Sequence, residues 1–142
     1  MTKKEIKISV LHIDSGDGII NFQISISNGI SSTSQDFYGY DDEFKSFATE
    51  LITFPQAIDH KIKYELGEIS EGSAYYILLE VFCHEPNGHS AIHVVLNNNA
   101  KRPFTNNGEF YITTAPASLN KLGTLLGNWN PLETKEFIWI AE

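Results

Sequence analysis

The stretch Ile20-Asn21-Phe22-Gln23-Ile24-Ser25-Ile26-Ser27-Asn28-Gly29 sets an apolar side chain at every second position and then closes on Asn-Gly. Successive strand residues point to opposite faces, so Ile20, Phe22, Ile24 and Ile26 share one buried face while Asn21, Gln23 and Ser25 meet water. Asn28-Gly29 is a hairpin signal, because tight hairpin loops need backbone at positive φ. On the upstream side Ile6, Ile8 and Val10 repeat the alternation, and residues 5–14 read as a strand. Ser15-Gly16-Asp17-Gly18 joins it to the next one with turn chemistry, glycine for positive φ and aspartate for bonding to nearby backbone. On the downstream side residues 30–38 are rich in Ser and Thr, which predicts a strand at an edge or on a solvated face.

The period then changes. Phe44, Phe47, Leu51 and Phe54 fall at i, i+3, i+7 and i+10, one stripe of an amphipathic helix, with Pro55 to stop it. Asp41 or Asp42 is suited to the N-cap and Glu43 to the positive first turn. Ile62, Tyr64 and Leu66 predict a fourth strand. Residues 74–83 are apolar on both faces, as in a central strand covered on each side. Glu85-Pro86-Asn87-Gly88 presets a type I turn with Gly88 left-handed, and residues 91–96 return as a strand. Residues 110–114 give another strand. Pro116 opens a second helix with Leu119, Leu122, Leu126 and Trp129 on one stripe and Gly127 suited to its C-cap. Residues 137–140 form a last short strand or a packed tail.

The order is strands, helix, strands, helix: an α+β fold in one domain spanning residues 1–142, with an antiparallel, curved sheet of six to eight strands and both helices packed on it. The expected core holds Phe22, Ile24, Phe44, Phe47, Leu51, Tyr76, Leu78, Phe82, Ile92, Val94, Leu122 and Leu126. A hydrophobic content of 42%, with 12% aromatic residues, suffices for such a core.

Composition removes several functions. Eighteen acids against ten bases give a formal charge of −8, which repels nucleic acid and suits a soluble protein that could steer a basic partner. The longest apolar run, residues 74–79, is far too short to cross a bilayer. A single cysteine, Cys83, allows no intrachain disulfide and favours a reducing compartment, so a cytoplasmic protein is expected. Gly16-Asp17-Gly18 lacks the third glycine and the helix of a dinucleotide site, and no Gly-Lys-Ser or Gly-Lys-Thr phosphate loop is present. No cofactor is expected.

Two clusters could carry function. The first is Asp36-Phe37-Tyr38-Gly39-Tyr40-Asp41-Asp42-Glu43, where aromatic contact area sits beside negative charge. That combination suits a protein-binding patch through Tyr38, Tyr40, Asp41, Asp42 and Glu43. The bland account is that Phe37 and one tyrosine fill the core while the acids cap the helix. The second cluster is Cys83-His84-Glu85-Pro86-Asn87-Gly88-His89-Ser90 with His93 beyond it, residue types that bind zinc or form a thiolate–imidazole pair.

With a three-residue loop at Pro86–Gly88, Glu85 faces His89 and Val81 faces His93, and His89 lies about 13 Å from His93. A register one residue away sets His84 beside His89 and Glu80 beside His93. In neither do Cys83, His84, His89 and His93 converge, so a binding module is preferred to a small hydrolase or metal-dependent enzyme built on those four. A homo-oligomeric scaffold using exposed Trp129 and Trp139 is a third reading.

Taken together, Phe37-Tyr38-Gly39-Tyr40, Phe47-Ala48 through Leu51, Phe54-Pro55, Gly88-His89-Ser90-Ala91 and Leu119-Asn120-Lys121-Leu122-Gly123 make a pattern. Over residues 18–129 it resembles a group of small bacterial proteins of unassigned function. It is also similar to immunity proteins paired with wall-associated or contact-dependent toxins, including the WapI-type family. The resemblance implies a cytoplasmic antitoxin that covers a toxin domain, and the charge of −8 makes a basic one the expected partner. The resemblance implies no catalytic residues.

Overall fold

The computed structural model describes residues 3–142. In chain order the elements are β1 (Lys4–Ile13), β2 (Ile20–Asn28), β3 (Ser32–Gly39), α1 (Lys45–Ile52), β4 (Lys61–Gly67), β5 (Tyr76–Cys83), β6 (Ser90–Asn97), β7 (Asn107–Thr114), α2 (Pro116–Asn128) and β8 (Glu136–Ile140). Every strand pairing is antiparallel. The fold is α+β, with its eight strands divided between two hydrogen-bonded sheets of order β3-β2-β1-β8 and β4-β5-β6-β7.

Turn chemistry sets the registers. The Asp14 carboxylate accepts the N–H groups of Gly16 (2.9 Å) and Asp17 (3.1 Å), and Gly18 takes φ +79°. At the next hairpin the loop is Gly29-Ile30. The Asn28 side chain accepts the Ile30 and Ser31 N–H groups, and Gly29 takes φ +92° at the position where a type II′ turn needs glycine. The third strand is indeed an edge, with Ser32 and Ser34 exposed and Thr33 turned toward β7.

The inner faces of both sheets and one stripe of each helix share a single core cluster, which includes Phe22, Phe37, Ile77, Leu79, Ile92, Leu119 and Trp139. On one side β3 lies against β6 and β7, and β2 against β7. On the other, α1 sits beside β4, α2 beside β8, and the two helices pack on each other. Gly123 lets them approach: a Cβ there would lie 2.8 Å from the Ala48 carbonyl oxygen and the Ile52 nitrogen. The helices run antiparallel and satisfy each other's ends. Asn120 Nδ2 donates to the Leu51 and Phe54 carbonyls (2.9 and 2.7 Å), while Lys45 Nζ donates to the Gly127 carbonyl (2.8 Å). The Leu51 and Gly127 carbonyls are among those that a helix terminus leaves without intrahelical partners, and Phe54 lies just past the end of α1.

Several local expectations change. Neither Asp41 nor Asp42 caps α1. Residues 41–44 form a turn, the N-cap position is Phe44 without a side-chain cap, and Asp42 contributes only its carbonyl to Lys45 N–H. Gly127 lies inside the last turn of α2, against Ala48, and the helix ends at an extended Trp129. The face of β5 is inverted for part of the expected core. Ile77, Leu79 and Val81 point inward, whereas Tyr76 and Phe82 are only half-buried on the outer face, and Leu78 is covered there but lies outside the core cluster. Trp129 and Trp139 are both buried, their indole N–H groups donating to the Thr134 and Ser118 carbonyls, so neither offers an oligomer surface.

Candidate functional site

The aromatic–acid segment spans the end of β3 and the turn into α1. Phe37 points inward and stacks on Phe22 at 5.2 Å. By strand alternation Tyr38 must then face out, and it is 54% exposed. Tyr40, two residues on, is 47% exposed, and Asp36, Asp41 and Asp42 are exposed beside them. Neither tyrosine fills the core. Glu43 behaves differently. Its side chain lies back over Gly39, where a Cβ would collide with it, and accepts a hydrogen bond from Tyr64 Oη at 3.0 Å. Burial, and then the Glu43 carboxylate, push the Tyr64 hydroxyl far above the usual phenol range. Of the five predicted binding residues, Tyr38, Tyr40, Asp41 and Asp42 thus form an exposed patch, and Glu43 braces the turn beneath it.

The Cys–His hairpin adopts the second of the two registers. His84 N–H donates to the His89 carbonyl, Cys83 pairs with Ser90, and Glu80 pairs with His93. The loop is four residues long, Glu85 to Gly88, because the Gly88 N–H to Glu85 carbonyl bond and Gly88 at φ +92° complete the type I turn one residue earlier than a three-residue loop allows. The expected facing of Glu85 with His89 and of Val81 with His93 is therefore replaced. Cys83 sits on the inner face against the core, while His93 is on the outer face of the neighbouring strand. His84 and His89 lie at the tip, ring centroids 6.3 Å apart, with Glu85 between them at 3.8 and 3.4 Å. The four side chains occupy three separate places. Among the described residues no group of three His, Cys, Asp or Glu side chains could hold a metal ion.

One arrangement escapes the sequence. On the outer face of the second sheet His93 bonds Glu109 (Nε2 to Oε2, 2.7 Å) and stacks on Tyr111 at 4.6 Å, with Phe82 edge-on to Tyr111. On β5 and β4 the Tyr76 hydroxyl donates to Glu65 at 2.6 Å, and burial followed by that carboxylate pushes it up to about 12. These two groups draw on four strands, so only the registers reveal them. A hollow of about 280 Å³ beside the hairpin tip is bordered by Lys4, His84, His89 and Glu142. Its ammonium is already held, since Lys4 Nζ donates to the Thr113 carbonyl and hydroxyl at 3.0 Å each.

Among the described residues no helix is long and apolar enough to cross a membrane. Compared with family models, curated proteins and solved structures, the chain finds no match.

Proposed function

We propose that this chain is a non-catalytic, acidic protein-binding module, an immunity protein of the bacterial cytoplasm that covers a basic toxin domain. The observation that carries the reading is the exposed pair Tyr38 and Tyr40 flanked by Asp36, Asp41 and Asp42, in a chain of formal charge −8. Tyrosine offers a large, stiff contact area, and binding energy concentrates on such residues. The carboxylates around it steer a basic partner and set the orientation in which it docks. Glu43 supports this indirectly, since its bond to Tyr64 fixes the turn that presents the patch. The resemblance to toxin-paired immunity proteins points the same way.

The test is affinity capture from the native bacterium at low and high salt, followed by titration of the captured protein. A basic partner is expected, retained at low ionic strength and released as salt rises. Tyr40→Ala is expected to cost about 2 kcal/mol, roughly thirtyfold in affinity. Asp41→Asn with Asp42→Asn should flatten the salt dependence more than it lowers affinity at high salt. Retention that ignores salt, or a partner bound equally well by Tyr40→Ala, sinks the reading.

A further inference from the structure

Four strands end the two sheets, and three of them are guarded. On β7 the outward carbonyls of Tyr111 and Thr113 accept from Asn28 Nδ2 (3.2 Å) and Lys4 Nζ (3.0 Å). On β3 the Tyr38 N–H donates to Tyr75 Oη (3.2 Å) and the Asp36 carbonyl accepts from Gln35 Nε2 (2.9 Å). The exposed side of β4 is Lys61, Lys63 and Glu65, charges that discourage another strand from adding.

β8 has no such guard. Val10 N–H bonds the Lys135 carbonyl and Ala141 N–H bonds the Lys4 carbonyl, both at 2.8 Å, and this fixes the phase of the β1–β8 ladder. Residues 135, 137, 139 and 141 turn their backbone groups to β1, so Glu136, Ile138 and Ile140 turn theirs to the open edge. Among the described residues nothing bonds them. The same residues carry exposed side chains, Ile138 at 47% and Ile140 at 42%. A hollow of about 330 Å³ beside them is walled by Lys121 and Leu125 of α2. A second, of about 500 Å³, joins Ile140 to Lys3, Lys4 and the protruding Ile30.

We propose that β8 pairs antiparallel with β8 of a second copy of this chain, about a twofold axis at Ile138. In that register Ile138 meets its own symmetry mate, and Glu136 of each copy lies opposite Ile140 of the other. Ile140 borders both hollows, whose charged side chains are Lys3, Lys4, Lys121 and the single acid Glu142. On the outer face each Glu136 therefore arrives beside Lys3 of the second hollow and Glu5, the residue paired with Ile140 on β1. Its present ion pair with Lys7 (3.3 Å) is exposed and cheap to exchange. Three residue pairs on the outward phase exchange about six backbone hydrogen bonds, and the β3-β2-β1-β8 sheets of the two copies join into one. This interface lies beyond the proposed partner-binding function and uses none of its residues. The two also respond to salt with opposite sign. Copies of charge −8 repel each other, so raising salt from about 0.01 to 0.15 M tightens self-association while it loosens a basic partner.

Sedimentation of the full chain across concentration tests it, with hydrogen exchange on the same samples. The expected result is a dimer whose Glu136, Ile138 and Ile140 amides exchange more slowly as the dimer forms. Ile138→Lys, which sets like charges together at the axis, should weaken association about a hundredfold and leave the far-ultraviolet circular dichroism unchanged. Hydrogen exchange on the wild-type chain decides the matter even where a variant folds poorly. A monomer at every concentration, a dimer with those three amides unprotected, or amides slowed only by an added extended peptide would each overturn the proposal.

Discussion

The two sheets obey the same pairing rules and differ in how they treat their outer faces. In β3-β2-β1-β8 the outward positions of β2 are Asn21, Gln23 and Ser25, so the apolar set can lie on one side only. In β4-β5-β6-β7 the outward row of β5 is Tyr76, Leu78, Glu80 and Phe82, three large aromatic or aliphatic side chains with one charge among them. A strand with one polar face declares its orientation, because flipping it would bury amides and hydroxyls at a cost of roughly 1–3 kcal/mol each. A strand apolar on both faces leaves that choice to the turn and to its neighbours.

The sharpest way to break this contrast is to truncate β5 on each side in turn. Leu79, 3% exposed, packs in the shared core, and Leu79→Ala should cost about 2–5 kcal/mol by leaving a cavity. Phe82 is the larger side chain, yet it is half-buried and meets Tyr111 only by its edge, so Phe82→Ala should cost about 1 kcal/mol. Urea denaturation of both variants checks the order. Equal losses, or a larger one for Phe82, would mean that the outer face of the second sheet is covered in solution.

A smaller effect is expected where the sheets touch. A Cβ on Gly108 of β7 would lie 2.6 Å from both Cβ and Cγ2 of Thr33 on β3, too close to tolerate without movement. Gly108→Ala should therefore destabilise by about 1–3 kcal/mol through overpacking. Thr33→Gly in the same chain should recover part of that loss, and a double-mutant cycle reads the coupling. Strictly additive losses would show that the sheets do not meet there.

This division also explains which features were legible in the sequence. The first hairpins, the edge character of β3, Pro116 at the start of α2 and both helical stripes were legible because each rests on local chemistry: alternation, glycine φ, a missing N–H. The inner face of β5 was marked only by Glu80, the one charge in the run, because Tyr76, Leu78 and Phe82 on its row are otherwise as large and apolar as Ile77, Leu79 and Val81. Asp41 and Asp42 have the right chemistry for a cap, but residues 41–44 close a turn of their own first. For the candidate sites, Tyr38 could be placed outward once Phe37 was inward. The His93–Glu109–Tyr111 cluster depends on the register between β6 and β7, a quantity no single strand contains. Trp139 and Ile138 show the limit in one dipeptide. Hydrophobicity alone predicts burial for both, and only pairing with β1 sends one inward and leaves the other at an open edge.

The smallest expected effect separates two turns, one from each sheet. The β1–β2 turn is closed by a charged acceptor, the Asp14 carboxylate, on the Gly16 and Asp17 N–H groups. The β5–β6 turn uses the neutral Asn87 amide on His89 N–H. Those backbone donors, Asp17 first and then Gly16, hold the Asp14 carboxyl below its ordinary value of 3.8. A depressed folded-state pKa contributes stability that is present above the unfolded value and is lost as pH falls through the folded one. Asp14→Ala should therefore lower stability slightly at neutral pH, with the gap to the wild-type chain closing as the solution is acidified below 3.8. Asp14→Asn keeps a neutral acceptor and should sit between them, with a shallower acid dependence. Thermal unfolding across that range reads all three chains, and a gap that stays constant with pH would remove the carboxylate from the account and leave only the shape of the turn.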